Sequence, residues 1–95
     1  MFVVVNTITV APEAQGRMVE NFRAHAPDLR AFEGFLGFEI WQTEGTILAV
    51  SRWTSREAFM QYPQSEVFKK HHKGMGGVEA MKAAHIAMYE GESFA

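Results

Sequence analysis

The 95-residue sequence predicts one α+β domain whose strands and helical regions follow the order βαββαβ. Three observations predict this class. Four segments are rich in apolar and β-branched residues, and the middle two are joined by a short polar turn. The segments before and after that pair repeat their apolar residues at helical spacing. The composition, with 47% hydrophobic and 21% charged residues, is that of a globular chain.

The first strand and the first helix have the clearest patterns. Residues 2–10 alternate and are mostly β-branched, which predicts a strand. The residues on one side of it are Phe2, Val4, Asn6, Ile8 and Val10. Pro12 suits the first turn of a helix, and helical spacing then predicts a helix at about 13–25. Pro27 disfavours helical geometry at the preceding residue, so we expect a kink or a separate short turn at 28–32.

The central pair of apolar segments predicts a hairpin. Strands are expected at about 35–42 and 46–53, separated by the turn-like residues 43–45. Because this connection is so short, the two strands must pair antiparallel.

The next segment predicts two short helices. Thr54 and Glu57 have the spacing of a capping box, in which each side chain satisfies a backbone N–H of the other, so a helix begins near Ser55. Pro63 interrupts it. A second short helix is expected from Ser65 to Gly74, because a residue without a Cβ suits a left-handed helix end.

The last part of the chain completes the order. Residues 84–91 predict a final strand, and a flexible segment is expected before it. The glycines of that segment are Gly74, Gly76 and Gly77. The arrangement is the split βαβ or ferredoxin-like one, a four-stranded antiparallel sheet with its helices on a single face.

The other sheet face is left without helices. Val3, Val5, Trp41 and Tyr89 are expected to supply apolar surface there. A chain of this length buries only about 60% of its unfolded surface, so its core is thin. A second subunit closing sheet against sheet would bury the open face, which predicts a homodimer with the form of an α+β barrel.

Composition excludes several classes of function. The net charge is −2, and the one local basic cluster is Lys69, Lys70 and Lys73, so no nucleic-acid partner is expected. Cysteine is absent, which excludes disulfides, thiolate metal sites and cysteine nucleophiles. No signal peptide or membrane span is recognisable, and we expect a single domain over 1–95 that works in the cytoplasm.

Asn6 is the first candidate functional residue. It is in phase with the apolar side of the first strand, where a buried amide needs hydrogen-bond partners. Left unsatisfied, it would cost about 1–3 kcal/mol. Either backbone at a strand irregularity or a bound ligand is expected to take its hydrogen bonds.

The histidine pair is the second candidate. Adjacent helical residues point about 100° apart, so His71 and His72 cannot both face one pocket. His72 follows Phe68 by four residues and shares its inward side, where an imidazole either binds a metal or haem iron, acts as acid or base, or is simply hydrogen-bonded. His25 and His85 form no ligand spacing.

Other side chains favour packing over chemistry. Trp41 and Trp53 are expected to be core or interface residues. The sequence contains no recognisable catalytic triad, phosphate-binding loop or paired-carboxylate site, which removes the common hydrolase and nucleotide-binding classes.

Several segments together resemble the antibiotic biosynthesis monooxygenase (ABM) superfamily over nearly the whole chain. They are Asn6 in strand one, Gly34-Phe35-Leu36-Gly37-Phe38, Trp53, Glu57-Ala58-Phe59, and the segment 65–72 that ends in the histidine pair. These signals mark the fold and do not choose a substrate.

Within that superfamily the chain is most similar to the IsdG-type haem-degrading monooxygenases, dimers that use an Asn, a Trp and a His in each haem pocket. The resemblance places Asn6 on the family Asn and His72 on the proximal iron ligand, whereas Tyr62 stands at the position of the family Trp. It implies haem as substrate and cofactor, with Phe22 and Phe68 against it. The three lysines of the basic cluster either pair with haem propionates or form a solvated face.

The sequence therefore favours a haem-binding, haem-oxygenase-like monooxygenase that takes electrons from a donor. In this hypothesis His72 ligates iron, Asn6 orients oxygen and Tyr62 shapes the pocket. One alternative is a cofactor-independent oxygenase acting on a phenolic or quinol-like aromatic, with His72 or Asn6 assisting proton removal. Another is a dimeric domain that binds a small ligand without turnover.

Overall fold

The computed structural model describes the backbone of residues 1–73 and 81–95 and the side chains of residues 1–69 and 84–95. Its strands are β1 (Phe2–Val10), β2 (Phe35–Thr43), β3 (Thr46–Trp53) and β4 (Met81–Glu90). Its α-helices are α1 (Pro12–His25), α2 (Arg56–Met60) and α3 (Glu66–Lys73), and a 3₁₀ helix (Ala26–Ala31) follows α1. None of the described helices is both long and apolar enough to span a bilayer.

The strands form one sheet in the order β2-β3-β1-β4, and every neighbouring pair is antiparallel. This confirms the predicted ferredoxin-like arrangement. The break expected at Pro27 is a change from α-helix to 3₁₀ helix that begins at Ala26. The proline ring clashes with the preceding turn and disfavours α geometry at the residue before it, which accounts for the end of α1 at His25.

The predicted capping box at the start of α2 is wrong by one residue. Ser55 is the N-cap, and its Oγ accepts the Ala58 N–H at 3.1 Å. The Thr54 N–H instead donates to the carbonyl of Gly34, in the turn before β2, at 2.8 Å. Helix α3 begins at Glu66, next to the predicted start at Ser65, whose Oγ accepts the Phe68 N–H at 3.1 Å. The predicted helix end at Gly74 and the flexible segment at 74–77 lie outside the described residues.

The core lies between the sheet and the helices. Trp53, with none of its surface exposed, is its centre and packs edge-on against Phe35 and Phe59 with ring centroids 5.3 and 5.6 Å away. Its Nε1–H donates to the buried Ser51 Oγ at 2.9 Å, so the indole is satisfied without water. The prediction that Trp53 is a core residue is confirmed.

The helix-free face of the sheet carries exposed aromatic side chains on both edge strands, β2 and β4, and an ion pair at the β2 edge. Trp41 and Tyr89 expose 57% and 55% of their surface there. Arg52 of β3 and Glu39 of β2 form a bidentate ion pair beside Trp41, whose Nε1–H donates to Glu39 at 3.0 Å. These hydrogen bonds, Arg52 first, lower the pKa of Glu39. The open apolar face predicted from the sequence is therefore present.

Gly34 is required by the turn into β2. Its φ is +86°, and a Cβ added there would lie 2.6 Å from both the Ala58 Cβ and the Thr54 Oγ1. Gly34→Ala is therefore expected to lower the free energy of unfolding by about 2 kcal/mol. Gly16→Ala is the matched control, because Gly16 lies in α1 and a methyl group added there meets nothing within 4 Å, so it should raise the value by about 0.5–1 kcal/mol. Urea denaturation of both variants measures the two changes in the free energy of unfolding, and equal changes would contradict the prediction.

Candidate functional site

A cavity of about 270 Å³ lies between the helix-covered face of the sheet and the helices. Its lining is mainly apolar and aromatic, which is the usual character of a site for a flat organic ligand. The lining residues that bear on function are Asn6, Phe22, His25, Trp53, Tyr62 and Phe68. Four of the five residues singled out as candidate site residues from the sequence thus meet in one place.

Asn6 is the polar group at the sheet side of the cavity. It lies in the middle of β1, opposite Ala49 of β3 and Ile86 of β4, so apolar neighbours flank it on both strands. Its Oδ1 is buried and has no hydrogen-bond partner among the described residues. An unsatisfied buried amide costs about 1–3 kcal/mol. Of the two outcomes left open by the sequence, a backbone partner for Oδ1 is therefore not found in the described part of the chain, and Asn6 lines the cavity.

Tyr62 forms another wall, in the connection between α2 and α3. Its ring meets Phe32 and Phe68 edge-on, with centroids 5.8 and 5.2 Å away, and lies 6.5 Å from Trp53. Burial raises the pKa of the Tyr62 hydroxyl to about 12. The phenol therefore stays protonated at neutral pH and offers the cavity a neutral hydroxyl, not a phenolate.

The raised pKa of Tyr62 has a consequence for stability. A tyrosine of the unfolded chain titrates near pH 10, so the contribution of Tyr62 is complete below about pH 10 and is lost as the pH rises towards 12. We expect the free energy of unfolding to fall over this interval in the parent protein and to fall less steeply in Tyr62→Phe. Urea denaturation at about pH 9.5 to 11.5 measures both slopes, and parallel slopes would contradict the prediction.

Helix α1 contributes polar groups that the sequence did not single out. Asn21 and His25, one helical turn apart, both line the cavity, and Phe22 lies between them. Sequence patterns alone assign His25 no functional role, because Pro27 leaves its direction open. The 3₁₀ helix that follows continues the turn and keeps His25 on the inner side. The signal that was available is the spacing, since His25 follows Phe22 by three residues and Asn21 by four.

Helix α3 carries the remaining candidate. Phe68 lines the cavity, and His72 occupies the backbone position one turn later in the same helix. The side chains of His72, His71, Lys70 and Lys73 lie outside the described residues. Lys69 is exposed and pairs with Glu66 at 3.3 Å, as expected of a solvated helix face. Within the described part of the chain, no group of three potential metal ligands is found.

A second and larger space, a groove of about 760 Å³, lies outside this cavity between α1, the 3₁₀ helix and β2. The groove is lined by neither Asn6 nor Tyr62. Phe22 and Phe38, with ring centroids 5.8 Å apart, line both spaces and separate them. The smaller cavity is the better candidate site, because the unsatisfied amide lies there.

Similarity to known proteins was found at the level of sequence and of fold. The family model "Antibiotic biosynthesis monooxygenase" matches residues 1–74. A heme oxygenase (staphylobilin-producing) of Staphylococcus epidermidis is 36% identical over 84 residues, covering 83% of this chain and 80% of that protein.

Two solved structures share the fold. MhuD of Mycobacterium tuberculosis, a heme-degrader determined with two hemes bound in its active site, superimposes with a TM-score of 0.79 at 23% identity, over 100% of this chain and 99% of that one. SnoaB of Streptomyces nogalater, a cofactor-independent oxygenase, gives a TM-score of 0.78 at 17% identity, over 98% and 94%.

Proposed function

The chain belongs to the antibiotic biosynthesis monooxygenase family, and from this premise we propose that it binds haem in the cavity and oxidises it with dioxygen and electrons from a donor. Two observations support the proposal. A heme oxygenase is 36% identical over most of both chains. The unsatisfied amide of Asn6, which carries the proposal, provides a hydrogen-bonding group inside an aromatic cavity.

The cavity suits a flat aromatic ligand with a reactive centre. Rings of Phe22, Tyr62 and Phe68 offer apolar surface for a porphyrin, and π-faces pack favourably against one another. A volume of about 270 Å³ is just below the range of about 300–1,000 Å³ that is usual for organic ligands, so a porphyrin would extend beyond the cavity. Ile86 is 57% exposed and also lines the cavity, so the space is open at β4 and the ligand edge would project there.

Each side chain has a distinct task in this proposal. His72, one turn after Phe68, would ligate the iron from α3, and bound haem would supply the metal that activates dioxygen. The amide of Asn6 would orient oxygen from the sheet side. Rotation of that amide exchanges the positions of its donor and acceptor, so either group could be turned toward a bound ligand. The neutral phenol of Tyr62 would fill the place where the resemblance puts a tryptophan.

We also propose that two copies pair through the helix-free face. The apolar surfaces of Trp41 and Tyr89 are exposed there, and the Arg52–Glu39 pair lies beside Trp41. A symmetric partner would cover this surface while leaving the cavity, on the opposite side of the sheet, accessible to ligand and electron donor.

A cofactor-independent oxygenase is the second candidate. Its supporting observation is that an amide and an imidazole, Asn6 and His25, line the same apolar cavity. A phenolic or quinol-like aromatic held there would lose a proton to the imidazole and then react with dioxygen directly. In that case oxygen consumption by ligand-free protein would persist in the presence of a chelator.

The test of the leading function is a haemin titration of the purified protein followed by absorbance. We expect a saturable shift of the Soret band with one haemin bound for each protein chain. The absence of a shift, combined with chelator-resistant oxygen consumption on a quinol substrate, would replace this function by the second. Ligand binding without product in either assay would indicate a binding domain.

A further inference from the structure

Two methionines lie at the mouth of the cavity. Met60 ends α2 and Met88 belongs to β4; both line the cavity and expose 37% and 45% of their surface. Met88 pairs with Val4, which places it diagonal to Asn6 across the β1–β4 ladder. Diagonal neighbours in a ladder are about 7–8 Å apart. Met88 is therefore a diagonal neighbour of Asn6, around whose amide we have proposed that oxygen reacts, and both residues line the cavity.

We propose that Met60 and Met88 are oxidation sites, and that conversion to the sulfoxide at this mouth weakens ligand binding in the cavity. The source of the oxidant rests on the proposed function. Two-electron reduction of dioxygen by the donor, with two protons, gives hydrogen peroxide. Thioether sulfur then bonds to one peroxide oxygen, the O–O bond breaks, and the other oxygen leaves as water. Sulfur is oxidised by two electrons and peroxide is reduced by two.

The physical consequence follows from the lining. Methionine is a flexible apolar side chain that adapts to a bound ligand, whereas its sulfoxide is polar. Met88 is adjacent on its face of β4 to Ile86, which is also exposed at the cavity. A polar sulfoxide beside this apolar rim must give up water when a flat apolar ligand enters, so affinity falls. Sulfoxide reductases reverse the change. Oxidation of these methionines would therefore reversibly inhibit the enzyme when its turnover releases peroxide.

Two other methionines make the proposal testable within one molecule. Met1 exposes 39% of its surface, as much as Met60, yet does not line the cavity. Met18 is buried with 3% exposed. Peroxide added to the solution should oxidise Met1 together with Met60 and Met88 and should spare Met18. Peroxide formed inside the cavity should reach the two mouth methionines before Met1.

The first experiment needs no haem. Ligand-free protein is treated with hydrogen peroxide, and the affinity for the fluorescent apolar dye anilinonaphthalene sulfonate is measured before and after treatment. We expect at least about a fivefold loss of affinity in the parent protein, and recovery after sulfoxide reductase treatment. The double variant Met60→Leu/Met88→Leu should keep its affinity. An equal loss in both proteins, or no loss in the parent, would overturn the proposal even if haem binds as expected.

The second experiment locates the oxidant. The haemin complex is incubated in air with ascorbate and with catalase, which removes peroxide from the solution. Each methionine-containing peptide is then analysed by mass spectrometry. Sulfoxide is expected at Met60 and Met88 ahead of Met1. Oxidation of Met1 at the same rate would contradict a local source. Failure to bind haemin would contradict the proposed function, while the dye experiment would still decide whether oxidation of Met60 and Met88 weakens ligand binding.

Discussion

His72→Ala is expected to weaken haemin binding at least about 100-fold, since loss of outer-shell partners of a metal ligand alone typically costs about 10–100-fold. The position of His72, one helical turn after the cavity residue Phe68, is the basis for this expectation. Adjacent positions on a helix point about 100° apart, so a ligand at 72 excludes its neighbour from the same pocket.

His71→Ala is the matched control for this prediction. It removes an imidazole from the same helix without removing the proposed ligand, and it should bind haemin as the parent does. The measurement is the Soret shift during haemin titration of all three proteins. Equal affinities in His72→Ala and the parent would exclude His72 as the ligand, and an effect of His71→Ala alone would move the ligand to the other imidazole.

Asn6→Leu is expected to separate stability from function. It replaces an amide whose Oδ1 is buried without a partner among the described residues, so the free energy of unfolding of the ligand-free protein should rise by about 1–3 kcal/mol. Haemin should still bind through α3. Haem consumption with ascorbate should fall about 100-fold, because a positioned hydrogen-bonding group at the reacting oxygen is lost. Such an opposition is typical of residues kept for activity at the expense of stability.

Ser51→Ala supplies the contrast to Asn6→Leu. Ser51 lines the same cavity, but its Oγ accepts the Trp53 Nε1–H at 2.9 Å. Its removal leaves a buried indole N–H without this acceptor and should lower the free energy of unfolding by about 1–3 kcal/mol. Urea denaturation of both variants shows whether their changes in the free energy of unfolding have the expected opposite signs. A destabilised Asn6→Leu would show that the amide has a structural partner and would remove the main support for the proposed site.

The features that the sequence predicted depend on periodicity. Alternation in residues 2–10 assigns Asn6 to the helix-covered side, and the pairing of β1 with β3 and β4 confirms that register. The short turn at 43–45 is sufficient to predict the hairpin, and Pro27 to predict the break after α1. These are local rules in which each residue constrains its neighbours, so a single sequence is enough to apply them.

The features that the sequence did not predict depend on packing between distant segments. Thr54 is the N-cap that the capping-box spacing predicts for α2, but its N–H donates to the distant Gly34 carbonyl, and Ser55 Oγ accepts the Ala58 N–H instead. The cavity itself exists because aromatic side chains from several elements leave a space that no spacing rule describes. His25 and Met88 join it through the direction of α1 and the register of β4, both of which require the assembled sheet.

The most direct test of haem oxidation in this cavity is a single-turnover assay of the haemin complex with ascorbate, catalase and a ferrous-iron chelator. In air, the Soret absorbance of the parent protein is predicted to decay while iron reaches the chelator, and under nitrogen it should persist. The Soret absorbance of Asn6→Leu with haemin bound should persist both in air and under nitrogen. A Soret band that persists in the parent in air, or that decays equally fast in Asn6→Leu, would contradict haem oxidation guided by this amide.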